Sequence, residues 1–198
     1  MGLLKRLFKN MEKKVKINNK EINYKTAYRN IKYPRLEFRT GNLLVVLPRG
    51  VENEKHILEK HKKWIFKNYN EIDEAIKRAE YKELNRRISL KEFKEFVNEK
   101  VEKFSGELKV KVNKITIRKM ISKWGSLSHK GNISINSYVR FLPEYLIEYI
   151  IYHEMIHFLE RKHNAIFWKL IKNKYENYKE YEKELYSYWF LIQCEIKK

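Results

Sequence analysis

HEMIHFLERKH, residues 153–163, sets three imidazoles and a carboxylate within eleven positions. A helix turns about 100° and rises about 1.5 Å per residue, so His153 and His157 lie about 40° apart and one turn along. Both can therefore face one ion. Glu154 points in a neighbouring direction, from which it can reach a water at that ion without taking a ligand position. His163 places a stronger condition on the fold. On an unbroken helix it would lie about 9 Å beyond His157 and about 240° round from it, out of reach. It joins the site only if the helix stops and the chain turns back. Arg161 and Lys162 can interact with the last helical carbonyls at that point, and Asn164 can cap a following helix. The alternative is a glutamate further along the chain as third ligand, with Glu176 and Glu180 as the candidates. Three imidazoles and an open fourth position suit zinc, one ion per chain.

The other histidines offer less. His56 and His61 are five apart, about 140° round a helix, and cannot share an ion, so both read as surface residues. His129 sits in the loop after Trp124, Gly125 and Ser126, from which it can approach a cleft.

Around this motif the chain reads as α+β. VKIN (15–18), EINYK (21–25), RLEFR (35–39) and LLVVLP (43–48) alternate as strands, the last two joined by a turn at Thr40-Gly41-Asn42. From Val51 to about Tyr81 the period becomes helical, with Ile57, Leu58, Trp64, Ile65, Ile72 and Ile76 as core candidates. Ser89 and Glu92 form a capping box for a second helix with the stripe Phe93, Phe96, Val97, Val101 and Phe104, which Gly106 is expected to end. KITIR (114–118) and NISIN (132–136) read as two half-buried strands joined by a loop, and Pro143 opens the helix that carries the histidines. Two more helices follow, from Ala165 to Lys174 and from about Glu176 to Ile192. The division this suggests is a basic β-rich N-terminal lobe ending in helices, 1–84, and an α+β lobe, 85–198.

Charge is the strongest compositional signal, with 44 Lys/Arg against 25 Asp/Glu and a net charge of +19. Residues 108–143 contain Lys109, Lys111, Lys114, Arg118, Lys119, Lys123, Lys130 and Arg140 and no acid. Such a surface attracts polyanions, nucleic acid among them, although charge alone specifies no sequence. No apolar run approaches the roughly 20 residues that cross a bilayer. MGLLKRLFKNM at the N-terminus lacks an apolar core and a cleavage site, and Arg6 breaks the myristoylation pattern. A single cysteine, Cys194, excludes an internal disulfide framework. Together these features read as a cytoplasmic protein without a membrane partner, and they leave the oligomeric state open.

RKMISKWGSLSHKGNISIN (118–136), the proline-led helix, HEMIH, His163 and Phe167-Trp168 together resemble the YgjP-like metallopeptidases, a family related to the SprT-like and WLM-type zincins. The resemblance extends to Trp64. It implies a minimal zincin fold with the HExxH motif on a buried helix, His153, His157 and His163 as ligands, and Glu154 as general base. Two departures are visible: Glu160 stands where metzincins have a glycine, and Leu127 follows WGS where a cysteine is expected.

The expected activity is zinc-dependent hydrolysis of a peptide bond in a protein or peptide substrate, with protein associated with nucleic acid as a candidate. The cleft candidates are Trp124, Gly125, Ser126, His129, Asn136, Tyr138 and Arg140, with Lys123, His129, Tyr138 and Arg140 as potential oxyanion stabilisers and NISIN as a cleft edge open to an extended peptide. Two other readings stay open. One is a metal-dependent hydrolase of a nucleotide pyrophosphate bond, for which no phosphate-binding glycine loop is found. The other is a nucleic-acid-binding module with structural zinc, which would leave an adjacent base without a use.

Overall fold

A computed structural model describes residues 13–39, 41–51 and 53–196. The N-terminal stretch MGLLKRLFKNM and Thr40 of the expected turn lie outside the described residues. The chain is α+β and divides into two compact units, one of residues 1–82 with 186–198 and one of residues 83–185. Residues 186–198, read from the sequence with the second lobe, are thus grouped with the first unit. There Phe190 packs with Ile72, Ala75 and Ile76.

In the first unit, strands β1 (Lys13–Ile17), β2 (Lys20–Arg29), β3 (Arg35–Arg39) and β4 (Asn42–Pro48) form a sheet in the order β1-β2-β4-β3. The expected β3–β4 hairpin forms, β1 pairs antiparallel with β2, and the two pairs join through a parallel β2–β4 pairing that runs from Tyr24↔Leu43 to Arg29↔Pro48. Their inward residues Ile17, Ile22, Tyr24, Leu43, Val45 and Leu47 bury against Ile57, Leu58 and Ile65. Those last three come from helices α1 (Glu54–Lys60) and α2 (Lys62–Ala79), where the sequence reads as a single helix. The interruption is a kink at His61, across which His61 N–H still bonds Ile57 O and Ile65 N–H still bonds His61 O. Trp64 is not a core residue: it is 42% exposed, its ring tilted against Phe38.

The second unit opens with α3 (Leu90–Leu108), whose capping box forms as expected, with Ser89 accepting from Glu92 N–H and Glu92 accepting from Ser89 N–H at 2.8 Å. Gly106 does not end this helix. It continues to Leu108 and stops at Lys109, which takes the left-handed conformation (φ 53°) and closes backbone bonds to Ser105 and Gly106. Strands β5 (Lys114–Arg118) and β7 (Asn132–Asn136) form where expected, but they pair in parallel. The reversal that allows this is a third strand, β6 (Gly125–Leu127), inside the segment expected to be loop and antiparallel to β7. The sheet order is β5-β7-β6, so NISIN is the middle strand, bonded on both sides, and cannot be the open cleft edge.

A 3-10 turn (Ser137–Phe141) leads into α4 (Glu144–Ile156), then α5 (Ala165–Lys174) and α6 (Tyr178–Glu195). α4 is apolar almost all round and packs on α3, β6, β7 and α5, which makes it the central helix of this unit. Among the described residues no helix is long and apolar enough to cross a membrane.

Candidate metal centre

α4 ends within the histidine motif. His157 is its C-terminal cap, and the next N–H groups, those of Phe158, Leu159 and Glu160, still bond carbonyls of Met155 and Ile156. The chain then reverses. Glu160 accepts from Lys162 N–H at 2.9 Å, and Asn164 starts α5 by accepting from Ile166 and Phe167 N–H at 3.0 and 3.1 Å. Arg161 does not serve the carbonyls at the end of α4; it donates to Ser128 O at 3.2 Å.

This reversal returns His163 to the end of α4. His163 Nε2 lies 2.9 Å from His153 Nε2, and one nitrogen from each of His153, His157 and His163 falls within 4.8 Å of the others. His157 Nδ1 is 3.0 Å from Glu160 O, which can only accept, so that proton sits on Nδ1 and Nε2 is left as a donor atom for a metal. Phe167 packs against all three rings, with centroids 4.9, 4.7 and 4.6 Å away. Trp168 stacks on His163 on one side and on Tyr178 on the other. Nitrogens placed 2.0–2.1 Å from one tetrahedral zinc stand about 3.3 Å apart, a spacing the cluster can meet with small side-chain adjustments. Its protonation state also fits. Burial, and then the neighbouring His163 and His157, push His153 down to about 3, and burial with His157 lowers His163, so both stay neutral and free to donate a lone pair.

Glu154 follows His153 and is buried. Burial pushes its carboxyl up to about 7, against an opposing pull from Lys123. It fits there because β6 passes beneath it at Gly125. A Cβ on that glycine would lie 2.6 Å from Glu154 Cγ and 2.7 Å from Oε1. Gly125 was a cleft candidate in the sequence; its place is under the carboxylate.

The other candidates separate. Asn136 is fully buried and is not a cleft residue, since its amide group donates to Met120 O and Lys123 O and accepts from Met120 and Tyr138 N–H. It pins the segment before β6. Trp124 and Ser126 are half-buried, Tyr138 and Arg140 are half-buried on the 3-10 turn, and His129 is exposed. Arg140 stacks on Phe141. Among the described residues the metal-capable cluster consists of the three histidines. Glu176 and Glu180 stand outside it, both exposed, with Glu180 paired to Lys183 at 2.5 Å. Glu182 and Tyr149, which approach His153 from behind, carry no sequence signal beyond the spacing of Tyr149 one helical turn before it.

Three imidazoles beside a buried carboxylate could supply the donor set and the base that metal-dependent hydrolysis requires. The chain belongs to the YgjP-like family, whose metallopeptidase-domain model matches residues 79–188, more than half of its length. It is a metallopeptidase, a class that implies a divalent metal and a protein or peptide substrate. Among solved structures it is similar to the metallopeptidase zymogen abylysin of Pyrococcus abyssi, with 23% identity, 52% of this chain and 96% of that chain covered, and a TM-score of 0.42. It is also similar to the metallopeptidase zymogen jannalysin of Methanocaldococcus jannaschii, with 31% identity, coverage of 47% and 86%, and a TM-score of 0.38. No curated protein sequence matches it.

Proposed function

We propose that this metallopeptidase is zinc-dependent, with His153, His157 and His163 holding the ion through Nε2 and Glu154 acting as general base. The observation that carries the reading is the convergence of three imidazole nitrogens within 4.8 Å, beside Glu154, which is buried on α4 next to the first of them. When bound, zinc supplies Lewis acidity, lowering the pKa of water and polarising a carbonyl oxygen. Glu154 takes the proton of the attacking water and returns it to the leaving amine. A carboxyl pushed up to about 7 is suited to both transfers near neutral pH. Phe167 and Trp168 pack against the imidazoles and hold them in place.

The exposed side chains of Lys109, Lys111, Lys114, Arg118, Lys119, Lys123 and Lys130 belong to the same unit as the centre. We propose that they bring the enzyme to protein bound on nucleic acid or another polyanion.

The test is the zinc content of metal-repleted, dialysed protein together with casein cleavage. About one zinc per chain is expected for the wild type, with a large loss in His163→Ala. Glu154→Gln keeps its zinc and loses about 10²–10⁴-fold in cleavage rate. Full zinc in His163→Ala would move the third ligand elsewhere. Nucleotide pyrophosphate turnover that depends on Glu154, without protein cleavage by the wild type, would overturn the peptidase mechanism.

A further inference from the structure

We propose that Glu182, gripped by Tyr149, is a positioning residue that fixes the orientation and tautomer of His153. This rests on the reading of His153 as a metal ligand. His153 directs Nε2 at His163, so its other nitrogen, Nδ1, points away from the cluster. Nδ1 faces Glu182 Oε1 at 3.8 Å, and that same oxygen accepts a hydrogen bond from the Tyr149 hydroxyl at 2.6 Å.

The clamp is built into two helices. Tyr149 sits one turn before His153 on α4, is fully buried, and meets the His153 ring edge-on. It also stacks on Tyr181, with centroids 5.2 Å apart and planes at 15°, and contacts Tyr175 edge-on. Tyr181 directly precedes Glu182 on α6. The stack therefore fixes both the donor and the residue beside the acceptor.

A neutral imidazole carries one proton, and its ligand strength at Nε2 depends on that proton residing at Nδ1. A carboxylate behind Nδ1 favours that tautomer by its charge, even at a separation longer than a hydrogen bond. His157 has a counterpart in the Glu160 carbonyl, 3.0 Å from its Nδ1. Two imidazoles on α4 are thus each backed by an acceptor, one from the turn that follows and one from α6.

The experiment measures zinc affinity of the full-length chain by chelator competition for wild type, Glu182→Gln, Glu182→Ala and Tyr149→Phe, with His153→Ala as ligand control. The tautomer of His153 is read in the metal-free proteins by long-range ¹⁵N NMR of the imidazoles. Glu182→Ala is expected to weaken zinc binding by about 10–100-fold and to shift the His153 proton toward Nε2. Glu182→Gln, whose amide oxygen can still accept from Tyr149 but carries only a partial charge, is expected to fall between wild type and Glu182→Ala in both affinity and tautomer. Tyr149→Phe leaves the carboxylate in place but unheld, and falls between wild type and Glu182→Ala. Wild-type affinity in Glu182→Ala, or an unchanged tautomer there, overturns the proposal while leaving the three-histidine centre intact. A wild type that binds no zinc, indistinguishable from His153→Ala, removes the centre and this role with it. A merely structural role for Glu182 would lower the melting temperature without moving the tautomer.

Discussion

Glu154 occupies the interior of its unit because the residue beneath it has no side chain. Gly125 is therefore predicted to act on the chemistry and not on the metal. In Gly125→Ala the new methyl would overlap Glu154, at 2.6 Å from Cγ, so the carboxylate or β6 must shift. A displacement of about 1 Å at a reacting group costs on the order of 100-fold in rate. Casein cleavage should fall by about that factor while zinc content stays near the wild-type value, because the atoms nearest the new methyl all belong to Glu154 and none to a histidine. Unaltered cleavage would mean that the carboxylate has room to move. The contrast between these residues explains what could be read at this scale. His153, Glu154 and His157 lie within one turn of helix, where spacing translates directly into geometry. The role of Gly125 depends on a strand 29 positions earlier lying under that helix, which no local pattern encodes. Asn136 misleads for the same reason: a polar residue at the end of a strand near the site looks like a cleft group until its bonds to Met120, Lys123 and Tyr138 are seen.

At the scale of elements, the reversal after α4 does the work that an uninterrupted helix could not, and Asn164 holds it by capping α5 immediately after His163. Asn164→Ala should lower stability by about 1 kcal/mol in urea unfolding and also weaken zinc binding, since fraying of α5 loosens the residue that precedes it. Loss of stability with undiminished zinc affinity would show that Phe167 and Trp168 suffice to hold His163. Helix α1 supplies a second case, in the first unit. Glu54 in its first turn accepts from Thr26 Oγ1 at 2.7 Å, Lys13 Nζ at 2.9 Å and the Tyr24 hydroxyl at 3.2 Å. The Thr26 hydrogen bond, helped by Lys13 and Tyr24 and opposed by burial, lowers its carboxyl below the ordinary glutamate value. A carboxylate depressed by folding stabilises the native state above the unfolded-state pKa, and that contribution is lost as pH falls through the folded value. Glu54→Gln should therefore be less stable than wild type at pH 7, with the two urea midpoints converging below about pH 4. A gap of constant size across that range would assign the effect to packing. Elements with strong local signals were legible: the capping box of α3, the alternation in β5 and β7, and the Asn164 cap of α5. β6 was not, because three residues in a turn-rich segment become a strand only by pairing with Ile133–Ile135, and the kink at His61 leaves no glycine or proline to mark it.

At the scale of the whole molecule the charge of +19 is a property that neither the core nor the histidine cluster requires. Seven of the eight basic residues in 108–143 are exposed, and no acid interrupts that stretch in sequence. If this face engages a nucleic-acid backbone, each phosphate neutralised releases counterions, and log Kobs should fall with log salt at a slope of about −0.9 per contact on duplex DNA. About six contacts correspond to roughly a 10³-fold loss of affinity between 50 and 200 mM salt. Anisotropy titrations of a labelled duplex should follow that dependence without sequence preference. Reversing Lys109, Lys111, Lys119 and Lys130 to glutamate should flatten the slope by several contacts, and zinc content should not change because none of the four lies in the histidine cluster. A steep slope retained in that variant would locate the polyanion surface among basic residues other than these four lysines. A slope near zero in the wild type would leave the charge as a solvated surface and the peptidase centre to find its substrate without electrostatic recruitment. Cleavage of a DNA-bound protein substrate, compared with the same substrate free in solution, then separates recruitment from binding alone. A rate advantage for the bound substrate that disappears in 200 mM salt is the expected result.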